Sequence, residues 1–213
     1  ARSTVAWRMG ADDSWHPAVV GSVPVRHIFQ LVKLTVIDIR ACTAQEQIHM
    51  TNGISANAGK NIVLIDGHAV AFHCWYTSDP NEVTEGFIDM LDDSVREHRA
   101  THAVITFDPP PPVFRHHLYP DYKAGRPPVP EGFLEECEEL KERLTGEGYM
   151  VVEQEGYEAD DLIGTLAELA ETSGFTTLIS TCDLDLLQLV TEKVSAEVFS
   201  QYWPTRMFDV EKT

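Results

Sequence analysis

The strongest constraint on the fold of this chain comes from three short apolar runs that each end on an aspartate. The runs span residues 62–66, 103–108 and 177–183. Short apolar runs that alternate with helical patterns predict an α/β fold with a parallel sheet. Because the carboxyl ends of parallel strands form the ligand crevice in such folds, the pattern places Asp66, Asp108 and Asp183 at one rim.

Helical patterns fill the intervals between these runs. Val83, Phe87 and Leu91 recur at helical spacing. The remaining elements predicted are helices at about 82–97, 131–147 and 158–170, a last helix starting near residue 185, and strands at 149–152, 175–181 and 194–199. The order of these elements is β/α alternation without internal repeats.

A further acidic cluster, which contains Glu158, Asp160 and Asp161, opens the helix that begins at about residue 158. Each acid has an ordinary structural explanation, because carboxylates favour turns, helix caps and helix N-termini. Their coincidence with the strand-end aspartates favours a metal site. Carboxylates packed together repel one another unless a cation lies between them, and Mg²⁺ or Mn²⁺ prefers such oxygen ligands.

The connection after residue 108 holds the densest basic and aromatic stretch of the chain, residues 114–126. Its many prolines argue against regular structure. Arg and Lys can clamp phosphates, and Tyr can stack on bases. A solvated loop is the alternative, but long irregular loops in compact domains are usually functional or disordered. We therefore expect this segment to contact the substrate.

Composition excludes several classes. A net charge of −18 argues against a general nucleic-acid binder, although a local basic patch can still contact DNA. The longest apolar run, 28–39, is too short to span a membrane. The four cysteines (Cys42, Cys74, Cys137 and Cys182) match neither a disulfide framework nor a zinc site, so we expect reduced thiols in a cytosolic protein.

Residues 1–49 differ from the rest of the chain. They carry five basic and four acidic residues, so nearly all of the negative charge lies further on. We expect either an upstream extension that is not native, with Met50 as the true start, or a small accessory segment. Residues 50–213 are expected to form the functional domain.

Three motifs, residues 114–128 (FRHHLYPDYKAGRPP), 156–161 (GYEADD) and 185–189 (DLLQL), resemble those of the 5′-nuclease family. That family includes the N-terminal domain of bacterial DNA polymerase I, stand-alone 5′–3′ exonucleases and flap endonucleases. The resemblance covers about residues 61–210. It implies a PIN-like fold, which is a mainly parallel sheet flanked by helices with a helical arch or loop above the metal site.

The resemblance also implies roles for individual residues. Asp66, Asp108, Glu158 and Asp160 match the carboxylates grouped around a first metal ion, and Asp161 matches the next acid of the same motif. Asp183 and Asp185 match those that serve a second ion. Lys123 and Arg126 match the catalytic basic residues of the arch, and Arg115, Tyr122 and His73 fall at DNA-facing positions. The implied cofactor is two Mg²⁺ or Mn²⁺ ions.

Three departures from the family pattern stand out. The usual Gly-Asp-Lys-Asp is here Cys182-Asp183-Leu184-Asp185, and His73 stands where the family has an arginine. The sequence given ends at Thr213, before the helix–hairpin–helix module that grips duplex DNA in the family. We expect either a fragment of a longer protein or a truncated nuclease.

The function implied is metal-dependent 5′–3′ exonuclease or flap-type endonuclease activity on DNA in replication and repair. Expected partners are 5′ ends, flaps and nicked duplexes, together with a polymerase domain or a separate polymerase, and not a membrane. The expected location is the cytoplasm, in association with the nucleoid. Two alternatives remain: a non-catalytic DNA-binding remnant or fragment of a DNA polymerase I, and a PIN-type ribonuclease, against which the long basic loop argues.

Overall fold

The computed structural model describes residues 5–9, 15–19, 60–78 and 82–212. The chain divides into two compact units, Ala1–Val36 and Ile37–Thr213. In the first unit, strands β1 (Val5–Met9) and β2 (Trp15–Val19) pair antiparallel. The sequence analysis did not predict this pair. Met50 and Cys42 lie outside the described residues, so the expected start at Met50 stays a prediction.

The second unit is built on a six-stranded sheet. Its strands are β3 (Asn61–Asp66), β4 (His102–Phe107), β5 (Met150–Glu153), β6 (Thr176–Thr181), β7 (Val194–Val198) and β8 (Arg206–Phe208). Their order across the sheet is β5-β4-β3-β6-β7-β8. All neighbours are parallel except β8, which runs antiparallel to β7. The predicted α/β class with a mainly parallel sheet is confirmed.

The strands form because their side chains are buried on both faces of the sheet, as parallel sheets require. Val63 and Ile65 belong to the main hydrophobic core, together with buried side chains of three helices. Leu64 is equally buried but lies outside that cluster. Because successive side chains of a strand point to opposite faces, Leu64 faces the other side of the sheet.

The helices of this unit are α1 (Gly67–Thr77), α2 (Val83–Glu97), α3 (Phe114–Leu118), α4 (Phe133–Gly146) and α5 (Ala159–Thr172), with a 3₁₀ helix at Leu184–Leu189. Helices α1, α2 and α4 cover the core face, and α5 contacts β3, β4 and β6. The residues at helical spacing in α2, which are Val83, Phe87 and Leu91, are buried as the pattern predicts. In α4 the buried residues are Phe133, Cys137, Leu140 and Leu144. None of the helices described is long and apolar enough to cross a membrane.

Four local features differ from the sequence analysis. Helix α1 was missed because its own residues are apolar on all sides, so its sequence shows no amphipathic period. The last predicted helix is a 3₁₀ helix, and the short strand β8 was not foreseen. The connection after β4 was expected to lack regular structure, but it contains the five-residue helix α3. That helix precedes the cluster of prolines at 127–130 and ends before Pro120.

Candidate active site

The carboxyl ends of β3, β4 and β6 meet at one edge of the sheet. In the ladders between them, Asp66 lies opposite Thr106 of β4, and Ile65 lies opposite Ser180 of β6. Asp108 and Asp183 follow these strands by one and two residues. The sheet register therefore brings the three strand ends to a common edge, as the sequence predicted.

Asp66 ends β3 and is almost completely buried. Its Oδ1 accepts a hydrogen bond from the main-chain N–H of Ala69 (3.3 Å), so the carboxylate caps α1. Its Oδ2 accepts one from the Thr181 hydroxyl (2.9 Å). Burial raises the pKa of Asp66 to about 6, and the negative charges of Asp108 and Asp183 add to that effect. The protein thus holds this carboxylate in a position that is unfavourable for its charge.

Asp160, in the first turn of α5, shows the same effect more strongly. Burial raises its pKa to about 7, and the next causes are the charges of Asp66, Asp183 and Asp108, followed by Glu158. These four aspartates therefore interact through space, although they come from four separate segments. Such a group of like charges is the arrangement that a bound cation stabilises.

Asp108 follows directly after β4, and its side chain contacts the first residue of α5. Its Oδ1 accepts a hydrogen bond from the main-chain N–H of Ala159 (2.7 Å), so this carboxylate caps α5. Its own main-chain N–H donates to Nδ1 of His68 (3.0 Å). The Asp108 side chain is 40% exposed.

Glu158, which immediately precedes α5, is buried and surrounded by hydrogen-bond donors from residues 114–126, the basic segment. It accepts hydrogen bonds from Arg115 (2.9 Å), the Tyr122 hydroxyl (2.8 Å) and Lys123 Nζ (2.5 Å). Burial alone would raise the pKa of Glu158, but the bonds from Lys123 and Tyr122 and the nearby positive charges outweigh burial and lower it. Glu158 is therefore ionised and neutralised by the protein itself.

Asp161 faces Arg115. The guanidinium donates from Nη1 to Oδ2 (2.7 Å) and from Nη2 to Oδ1 (2.8 Å), which is the bidentate geometry of strong Arg–carboxylate pairs. Oδ2 also accepts from the main-chain N–H of Glu158 (3.0 Å). Burial would lower the pKa of Arg115, but the bond and charge of Asp161 outweigh burial and raise it. Both oxygens of Asp161 are thus engaged.

Asp183 and Asp185 lie at the start of the 3₁₀ helix. Asp183 caps it, because its Oδ1 accepts from the main-chain N–H of Asp185 (2.8 Å). The main-chain N–H of Asp183 donates to the Thr181 hydroxyl (3.0 Å), and that hydroxyl in turn donates to Asp66. Asp185 is exposed. Neighbouring Cys182 is half-buried, and burial raises the pKa of its thiol to about 12.

The basic segment lies against the carboxylates through Tyr122 and Lys123. Lys123 adopts a left-handed backbone (φ 59°), and its carbonyl accepts from the main-chain N–H of Arg126 (3.0 Å). Burial raises the pKa of Tyr122, and Glu158 adds to this. Arg126 is exposed. His73 lies in the middle of α1, half-buried, with its ring centroid 6.0 Å from that of Phe199.

Two residues at the site were missed by the sequence analysis. Thr181 is buried and joins Asp66 to the segment that carries Asp183. His68 accepts the main-chain N–H of Asp108, and burial is the main cause that lowers its pKa. The only signal in the sequence was their position beside strand-end aspartates. Within the part of the chain that the structure describes, no three Asp, Glu, His or Cys side chains are grouped closely enough to hold one ion by themselves.

Comparison with known proteins identifies the family of this chain. Residues 61–212 match the family model of the 5′-3′ exonuclease, N-terminal resolvase-like domain. The thermostable DNA polymerase I of Thermus filiformis is 38% identical over 143 residues, which cover 64% of this chain and 17% of that protein. The DNA polymerase I of Deinococcus radiodurans is 36% identical over 156 residues, 68% of this chain and 16% of that protein. The chain thus spans about a sixth of the curated relatives it matches.

Solved structures show the same fold. T5 5′-exonuclease with bound zinc superposes with a TM-score of 0.58 at 20% identity, covering 70% of this chain and 58% of that one. The T5 flap endonuclease in a complex with DNA and metal ions gives a TM-score of 0.57 at 19% identity, with the same coverage of both chains. The predicted PIN-like fold of the 5′-nucleases is therefore confirmed. By its matched residues, this chain belongs to the 5′-3′ exonuclease family and contains that family's N-terminal resolvase-like domain.

Proposed function

We propose that this chain is a divalent-metal-dependent 5′-nuclease domain that hydrolyses phosphodiester bonds of DNA, as a 5′–3′ exonuclease or flap-type endonuclease. The observation that carries the proposal is the convergence of Asp66, Asp108, Asp160 and Asp183 at one edge of the sheet, where burial, and after it the charges of the neighbouring aspartates, raises the pKa of Asp66 and of Asp160. A fold that was selected only for stability would not retain buried like charges together without a reason. A bound cation supplies one.

The residues present fit a hard divalent cation. All candidate ligands are carboxylate oxygens, which suit Mg²⁺ and Mn²⁺ and suit softer metals poorly. Mg²⁺ usually keeps several waters and takes only one or two protein carboxylates, so a site without three preformed ligands is compatible with it. The carboxylates that would hold the first ion, directly or through its bound waters, are Asp66, Asp108, Asp160 and Glu158. Asp183 and Asp185 would serve a second ion, and Asp161 would support the cluster through Arg115.

When bound, a pair of such ions activates water at neutral pH and stabilises the leaving oxygen of a phosphodiester. The protein's own groups orient the substrate. Lys123 and Arg126 would bind the scissile phosphate, and Lys123, which pairs with Glu158 in this structure, would exchange Glu158 for that phosphate. Tyr122 has an aromatic ring beside Lys123 on which a nucleobase would stack. The ion pair between Arg115 and Asp161 holds the basic segment against α5. His73 is the remaining candidate for a phosphate contact.

The relatives support this assignment by their names. The curated relatives are DNA polymerases I, and the solved structures include nucleases with bound metal ions and DNA. We extend the proposal to the expected substrates, which are 5′ ends, flaps and nicked duplexes. We also extend it to a polymerase domain or separate polymerase as partner, to roles in replication and repair, and to a cytoplasmic, nucleoid-associated location.

The test is cleavage of a 5′-labelled flap duplex by the full chain with Mg²⁺ or Mn²⁺, with EDTA as the control. We expect EDTA-sensitive release of 5′ products. Asp108→Ala should abolish cleavage and leave the circular dichroism spectrum intact, because it removes a carboxylate of the cluster. Asp89→Asn, at an exposed position of α2, is the matched control and should cleave normally.

Three results would contradict the proposal. Full activity of Asp108→Ala would contradict the assignment of Asp108 as a metal ligand. Binding of the flap duplex without cleavage would favour a DNA-binding remnant. Faster cleavage of a matched RNA substrate than of DNA would favour a ribonuclease.

A further inference from the structure

His68 contacts the candidate site through a main-chain hydrogen bond rather than through a carboxylate. It is the second residue of α1, and its Nδ1 accepts the N–H of Asp108 at 3.0 Å. An acceptor needs a lone pair, so Nδ1 carries no proton and the ring proton lies on Nε2. The Oδ2 atom of Asp108 is 3.9 Å from the same Nδ1. Because no proton lies between these two atoms, this approach is not an ion pair.

The His68 ring is held in place by aromatic neighbours. It packs edge-on against Phe107, with ring centroids 5.2 Å apart and an interplanar angle of 81°, and tilts against Phe133 at 6.3 Å. Gly67 makes this arrangement possible, because a Cβ atom there would lie 2.7–2.8 Å from the Phe107 ring. The imidazole side chain is only 16% exposed. Its Nδ1 therefore has a fixed position at the end of β4.

Asp108 needs such support because it lies just past the sheet. The last pairing between β4 and β5 joins Phe107 to Glu153, and four consecutive prolines follow Asp108. The main chain at this point is therefore not held by the ladder. The structure fixes Asp108 by two hydrogen bonds instead: His68 accepts its main-chain N–H, and its side-chain Oδ1 accepts the main-chain N–H of Ala159. Together these bonds set the direction of the remaining oxygen, Oδ2.

We infer that His68 is a positioning residue, which holds the main chain of Asp108 through Nδ1 and thereby orients the Asp108 carboxylate toward the Asp66 and Asp160 cluster. The inference rests on the proposed function, because orientation matters only if Asp108 binds an ion. Outer-shell partners of metal ligands typically change metal affinity or activity by about 10-fold to 100-fold when they are removed.

Two substitutions separate positioning from packing. In His68→Asn, Oδ1 occupies the same branch from Cγ as Nδ1 does, so the acceptor is kept while the ring contacts are lost. In His68→Leu, a methyl group replaces the acceptor while apolar contact with Phe107 and Phe133 is kept. Packing alone predicts that the Leu variant is the better of the two. Positioning predicts the opposite order for metal binding.

The experiment measures Mn²⁺ affinity by titration calorimetry and the exchange of the Asp108 amide proton by NMR, both on the full chain. We expect His68→Asn to stay within a few-fold of the wild type in affinity and to keep the amide protected. His68→Leu should lose about 10-fold to 100-fold in affinity and expose the amide. If His68→Leu does not fold, His68→Gln replaces it, because its polar atoms lie one bond further out and leave no acceptor at the δ position.

Equal losses in the Asn and Leu variants, or a Leu variant with normal affinity and a protected amide, would overturn the inference. Neither readout depends on cleavage. A wild-type chain that binds Mn²⁺ in this manner but leaves DNA intact would contradict the proposed function and leave the role of His68 standing.

Discussion

Replacing Asp160 by asparagine should stabilise the metal-free protein at pH 8. The pKa of Asp160 is raised from its usual 3.8 to about 7 by burial and by the neighbouring aspartates. One pKa unit corresponds to about 1.4 kcal/mol, so a shift of about 3 units costs the native state about 4 kcal/mol once the group ionises. Asparagine has nearly the same shape and never carries the charge.

The sign of the effect fixes its pH dependence. A group whose pKa is raised on folding contributes its full stability below the unfolded pKa, near 3.8 here, and loses that stability as the pH rises through about 7. Asp160→Asn lacks this loss. The gain of the variant should therefore be small near pH 4, should grow as the pH rises from about 4 to 7, and should reach its plateau at pH 8. About 4 kcal/mol is the upper limit of this gain, because the titrations of Asp66 and Asp160 are coupled: when one of the two carboxyl groups is protonated, the other ionises at lower cost.

The assay is urea unfolding in EDTA at pH 5 and at pH 8, followed by tryptophan fluorescence. With a slope of about 2 kcal/mol/M, the midpoint of the variant should move up by as much as about 2 M at pH 8. Asp89→Asn, at an exposed position of α2, is the control and should shift stability by less than about 0.5 kcal/mol. Saturating Mg²⁺ should reverse the order, since only the wild type gains from binding.

A gain that does not change between pH 5 and pH 8 would refute the electrostatic reasoning. So would a variant less stable than the wild type at pH 8 in EDTA. Either result would mean that the site tolerates its negative charge without a cation.

Three further predictions concern the surroundings of the site. Gly67→Ala should lower the free energy of unfolding by about 1–3 kcal/mol, because the added Cβ would meet the Phe107 ring. Gly146→Ala is the control and should not lower it, because the space around Gly146 is open. Thermal unfolding of both variants checks this, and equal stability of the two would contradict it. Arg115→Lys should cost about 1–2 kcal/mol in urea unfolding, because lysine cannot form the bidentate pair with Asp161, and an unchanged midpoint would show that this pair contributes little. Glu197→Gln should increase stability progressively as the pH rises above the usual glutamate range, because burial raises the pKa of Glu197; a gain that is largest at pH 4 would contradict this.

The sequence predicted the sheet and the rim together because one pattern encodes both. An apolar run that ends on an aspartate gives a buried strand and also a carboxylate at its carboxyl end, and parallel register then aligns the ends. Asp66 and Asp108 illustrate this, since the ladder between β3 and β4 brings their strands to the same edge. Helix α1 escaped prediction because it is apolar on all sides, and a periodic pattern needs a polar face.

The contacts that orient the carboxylates could not be predicted in this way. Arg115 was assigned to DNA by resemblance, yet the structure pairs it with Asp161, 46 residues away. Thr181 donates to Asp66 across 115 residues. Such hydrogen bonds depend on which strands are neighbours and on the rotamers of single side chains. The local sequence specifies neither the order of the strands in the sheet nor the rotamers of these side chains.

Titration of the full chain with Mn²⁺, following bound metal and flap cleavage on the same preparation, tests the central claim most directly. The account predicts that cleavage rises with occupancy of the carboxylate site, that EDTA reverses both, and that Asp108→Ala loses both while remaining folded. Cleavage that persists in EDTA, or metal binding that survives unchanged in Asp108→Ala and Asp160→Asn, would contradict it.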